Sequence, residues 1–81
     1  MSLTWRKWGH GSYHANSIRG PYAGHVVRVN GRRWRWWIER ITSRGSGNIA
    51  EDFAETATKA RLACEARLDE ILSPRLMEAT R

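Results

Sequence analysis

Few residue types in this chain are able to do bond-making chemistry, and their spacing decides what they are worth. His10 and His14 stand four apart, a separation that lets two imidazoles on one helix face share a metal ion, but Gly9 and Gly11 flank His10 and argue against a helix there. No acid lies close enough in sequence to complete a ligand set, so no metal site is expected. His25 falls in a β-branched run and reads as a histidine at the edge of the core. Cys64 is the single cysteine, and it falls on the apolar stripe of a helical segment, where a thiol behaves as a small hydrophobe. Glu39 is the only acid among residues 1–48, which leaves general acid–base work without a second carboxylate. The GSG at 45–47 is too short for a phosphate loop, and no dinucleotide fingerprint is present. These features predict a chain that is not an enzyme and has neither a cofactor nor a small-molecule substrate.

Arginine and tryptophan are what the chain has in quantity. Its 81 residues carry a net charge of +6 and five tryptophans, Trp5, Trp8, Trp34, Trp36 and Trp37. The charge is uneven: residues 1–48 sum to +8 and residues 49–81 to −2. A field of one sign attracts polyanions, of which nucleic acid is the commonest in a cell. Arginines that merely stay in water fit the same count. With one cysteine no intrachain disulfide can form, and no stretch has the apolar length of a signal peptide or a membrane span. A soluble, cytoplasmic chain with no membrane partner is the expectation.

The elements that must position these side chains follow from pattern. Gly20-Pro21 is a turn signal, and Tyr13 to Ile18 before it has the makings of a short edge strand. YAGHVVRV, residues 22–29, and RRWRWWIERI, residues 32–41, read as two strands joined by Asn30-Gly31, the commonest two-residue hairpin turn. With that turn Val27 faces Trp34 and His25 faces Trp36. The core face then holds Ala23, Val27, Val29, Trp34, Trp36 and Ile38, while the open face holds Tyr22, Val26, Arg28, Arg33, Arg35, Trp37, Glu39 and Ile41. A turn one residue longer slips the register and exchanges the faces of one strand. TSRGSGN, residues 42–48, reads as a loop and Ile49 to Ala54 as a third strand, in competition with a helix starting at Asn48. Thr56 is the expected N-cap of a helix over Ala57 to Leu72, whose Ala57, Ala60, Cys64, Leu68 and Ile71 recur at spacings of three and four. The pairs Glu55 with Lys59 and Arg61 with Glu65 stand four apart on it. Ser73-Pro74 ends it, and the remainder reads as a loose tail.

The fold class expected is therefore α+β: an antiparallel sheet of three strands, or four if the Tyr13–Ile18 segment joins, packed against one C-terminal helix. Residues 1–72 form the domain and 73–81 a flexible tail. Arg28, Arg32, Arg33 and Arg35 are the phosphate-binding candidates, with Trp37 and Tyr22 as rings on which a base could stack and Arg6, Lys7 and Arg44 as helpers. Folding of Trp5 or Trp8 back over the open face would instead make it a second small core.

HVVRVNGRRWRWWIER followed by ATKARLACEARL resembles the three-stranded-sheet DNA readers, such as the arm-binding domains of tyrosine integrases and the plant ethylene-response type. That resemblance implies an exposed sheet face entering the DNA major groove. The chain is also similar to small uncharacterised proteins of phages and proteobacteria that place a WxW strand before an Ala-rich helix. The expected function is nucleic-acid binding through the basic, aromatic face. The alternative is a protein-interaction module of phage-accessory or inhibitory type, using that face against an acidic partner or a second copy, since Trp and Arg dominate binding hot spots.

Overall fold

In the computed structural model, which describes residues 3–17 and 20–72, the chain runs up and down through five strands and closes with one helix. The strands are β1 (Leu3–Trp8), β2 (Ser12–Ser17), β3 (Tyr22–Asn30), β4 (Arg33–Thr42) and β5 (Gly45–Ala54), and the helix is α1 (Ala57–Leu72). All neighbours pair antiparallel in the order β1-β2-β3-β4-β5. The α+β class with one C-terminal helix is as expected, but the sheet has five strands where three or four were expected. Ile18 and the tail of residues 73–81 lie outside the described residues.

The added strand is β1. Trp5 and Trp8 stand three apart with cations between them, so the segment shows no apolar alternation, yet it pairs along its whole length with β2. Gly9 at φ 67° makes the reversal between them, a conformation closed to most side chains. β2 is consequently an interior strand and not an edge. The expected loop at 42–48 is mostly hairpin: Gly45 at φ 128° begins β5, and the Thr42 hydroxyl donates to its carbonyl at 2.8 Å. Residues 49–54 are strand, not helix, and Thr56 Oγ1 accepts the Lys59 N–H at 3.1 Å, so the cap and both helix bounds are as predicted.

α1 covers one face of the sheet. Ala60, Cys64 and Leu68 are buried against Ala15, Val26, Trp36 and Ile38, with Trp5, Tyr13, Tyr22, Trp34 and Ile71 packed around them. Small helix residues over large sheet residues let the two layers approach closely. Two further contacts fasten β1 and β2 to the helix: Trp5 Nε1 donates to Glu65 Oε2 at 2.8 Å, and the Arg61 guanidinium lies over the Tyr13 ring at 4.7 Å. Glu65 and Arg61 therefore serve the sheet and do not form the ion pair expected from their spacing, whereas Glu55 and Lys59 do approach to 3.9 Å. Among the described residues no helix is long and apolar enough to cross a membrane.

The β3–β4 register departs from the one expected. Val26 faces Trp36, Gly24 faces Ile38 and His25 faces Trp37, with an irregularity between Arg28 and Asn30. The chain turns at Gly31-Arg32: Asn30 Oδ1 accepts the Arg32 N–H at 3.1 Å, and Gly31 does not take the positive φ that an Asn-Gly two-residue turn needs. β4 keeps its faces, with Trp36 and Ile38 inward, while those of β3 exchange. Tyr22, Val26 and Arg28 thus belong to the helix side, and Ala23, His25 and Val27 to the open side. In the expected register the imidazole of His25 would lie under the helix, where a polar ring needs a partner. The observed one places Gly24 and Val26 there, and Val26 is fully buried.

Candidate functional site

The face of the sheet away from α1 is built from three cross-strand rows. Arg6, His14, His25, Trp37 and Glu51 stand opposite one another along the middle row. Trp8, Ser12, Val27, Arg35 and Phe53 form the row toward the β3–β4 turn. Thr4, Asn16, Ala23, Glu39 and Asn48 form the row on the other side. Alternation along each strand sends these side chains to one face, and no element among the described residues packs over them.

Planar groups run almost continuously across this face. Trp8 and His14 are tilted against each other at 4.8 Å, His14 meets His25 edge-on at 4.9 Å, and His25 stacks on Trp37 at 4.9 Å. The Arg35 guanidinium lies over Trp37 at 4.6 Å, and that of Arg33 over Phe53 at 3.9 Å. Arg35 also meets Glu51 at 3.1 Å. Each cation–ring contact of this exposed kind contributes about 0.5–1 kcal/mol.

The hydrogen bonds tie Glu39, His25 and His14 into one chain. His25 Nε2 is 2.9 Å from Glu39 Oε1, and a carboxylate only accepts, so that nitrogen donates. His14 Nδ1 and His25 Nδ1 are 2.7 Å apart, so one of the two carries the proton and the other accepts it. Burial, followed by the neighbouring His25, pushes His14 below the ordinary imidazole value. The Ser46 hydroxyl and then His25 hold the Glu39 carboxyl below the usual carboxylate range. On the opposite side of the sheet, burial pushes the Cys64 thiol up to about 12, so it is an unreactive core group. Among the described residues no three His, Cys, Asp or Glu side chains converge as a metal-binding set.

The candidates read from the sequence divide into three groups. Arg33, Arg35 and Trp37 share the open face, as expected. Tyr22 does not: it packs beside the core on the helix side. Arg28 is also on that side by register but lies at the end of β3, where its Nε donates to the Asn30 carbonyl at 3.3 Å, next to Arg32 in the turn. Arg28, Arg32 and Arg33 therefore gather at the β3–β4 tip. Trp37 is half-buried between His25 and Arg35, so neither of its neighbours leaves it open as a platform. Trp8 is 65% exposed and belongs to the open face, while Trp5 is on the helix side. Neither ring closes the face into a second core. His25 is a member of this face and not a core-edge residue beside Trp36. His14, weighed in the sequence only as a partner of His10, and Phe53 were not expected on this face; the sequence signal for His14 was its alternation with Ser12 and Asn16 next to the Gly9–Gly11 turn.

No family model, curated protein or solved structure matches this chain. What the open face can do therefore follows from its own chemistry: three arginines and five planar side chains presented together, with two carboxylates, Glu39 and Glu51, each held by a partner on the sheet.

Proposed function

We propose that this chain is a non-enzymatic binding module that engages nucleic acid with the open face of its sheet and works in the cytoplasm. The observation that supports this best is a sheet face that no element among the described residues covers, on which guanidinium groups lie among aromatic rings. Arg6, Arg33 and Arg35 offer charge for phosphates, and Arg28 and Arg32 extend it at the β3–β4 tip. Rings between the cations can meet bases, which gives the face both halves of a nucleic-acid interface.

Phosphate binding releases counterions, so affinity for short DNA or RNA should fall steeply with salt, by about 0.7 to 0.9 in log–log slope per phosphate contacted. Tryptophan fluorescence follows this titration directly. Arg33→Ala/Arg35→Ala should weaken binding and flatten the slope by about 1.4 to 1.8, two contacts' worth. Affinity that stays level from low to moderate salt would contradict the reading.

A second reading has its own observation. Ile41, Ile49 and Phe53 are exposed on β4 and the edge strand β5, a combination that suits a protein partner or a second copy. Concentration-dependent dimerisation in sedimentation, with no nucleic-acid affinity, would select it.

A further inference from the structure

We infer that the open face takes a single strand and not a duplex, with one unpaired nucleotide seated in the groove beside Trp8, its base on Trp8 and its phosphate at Arg6. This deepens the nucleic-acid reading and rests on it.

Width is the first argument. Five strands span four gaps of about 4.8 Å, roughly 19 Å, whereas the DNA major groove is about 12 Å wide and admits a helix or a two-stranded ribbon. β3 is the central strand, flanked by two strands on each side. His25, and Trp37 beside it, cannot descend to base edges at the floor of a groove while the outer strands meet the groove walls. A flexible single strand lies across such a face without that obstruction.

Ring availability is the second. A base inside a duplex has both faces stacked, so a protein ring receives a base only when the base is unpaired. Trp37 has His25 on it and Arg35 over it. Among the described rings only the tilted His14 lies beside Trp8, which is 65% exposed. The Ser12 hydroxyl donates to the Trp8 carbonyl, which holds the end of β1 against β2.

The groove beside Trp8 provides the third. Thr4, Arg6, Trp8, His14, Asn16 and His25 line it, and no carboxylate does. Among the described residues Arg6 forms no ion pair. A guanidinium two residues from an exposed indole on the same face suits a phosphate next to a stacked base, and the Asn16 amide offers both a donor and an acceptor to a base edge.

The test compares a labelled oligothymidylate with a mixed-sequence duplex of the same length by fluorescence anisotropy, for wild type, Trp8→Ala, Trp8→Phe and Arg6→Ala. Trp8 is exposed near the end of an edge strand, so its replacement should leave the thermal melt unchanged. The single strand should bind at least about tenfold tighter than the duplex. Trp8→Ala should weaken single-strand binding by roughly tenfold and leave any duplex binding unaltered, Trp8→Phe should retain most of the affinity, and Arg6→Ala should lower both affinity and salt slope. Equal or preferential duplex binding, or single-strand affinity indifferent to Trp8→Ala, overturns the inference while leaving nucleic-acid binding intact. Absence of binding to either probe overturns the nucleic-acid reading itself.

Discussion

At the scale of single residues, the Glu39–His25–His14 chain makes the protein sensitive to acid. His14 titrates below its unfolded value of 6.5, so between the two values the unfolded chain binds a proton that the folded chain refuses. Its contribution is complete above 6.5 and is lost as pH falls through the folded value. Glu39, depressed below 4.5, contributes above that value and loses its contribution as pH falls further. Both act in the same direction, and a doubly protonated histidine pair would also set two N–H groups head to head. Urea midpoints should therefore decline from pH 7.5 toward 5.5, and again below about 4.5 where carboxylates titrate. His14→Gln should remove the upper decline and keep the lower one. A midpoint unchanged across the upper range would show that the imidazole contact has no energetic weight.

At the scale of elements, α1 is defined by local chemistry. Thr56 caps its first turn, the apolar stripe of Ala60, Cys64 and Leu68 gives it one buried face, and Ser73-Pro74 follows its last residue. Thr56→Ala should cost about 1 kcal/mol, read as a shift of the denaturant midpoint at unchanged slope. A loss much below that would mean that sheet packing alone sets where the helix starts. Those signals lie within a few residues of one another, which is why the helix was legible with both of its bounds. The β3–β4 hairpin was legible only as a hairpin. Asn30-Gly31 announced a reversal, but the turn sits at Gly31-Arg32, where Asn30 Oδ1 accepts the Arg32 N–H, and the irregularity between Arg28 and Asn30 changes the pairing parity and so sends Tyr22, Val26 and Arg28 to the helix side.

At the scale of the whole molecule, a single layer of side chains between sheet and helix holds the fold together. Ile38 is fully buried at its centre, on the strand with the most extensive pairing. Ile38→Ala should cost about 2–5 kcal/mol, a large share of the roughly 4–12 kcal/mol available to a chain of this size. Phe53→Ala on the open face, by comparison, should change stability far less, and equal losses would mean that the open face is a second core. The comparison is made on thermal or urea unfolding of the two variants.

The sequence by itself determined the α+β class, the extent and capping of α1, its buried stripe, and the inward face of β4 with Trp36 and Ile38. Each follows from periodicity or from a cap, and both are local. Only the tertiary structure decided that LTWRKW is a strand, that His14 and His25 meet, and that the phosphate candidates split between the open face and the β3–β4 tip. Those outcomes depend on which strand pairs with which and in what register. The register in turn follows from which side of β3 the helix covers, where burying Val26 and Gly24 is favoured over burying the imidazole of His25.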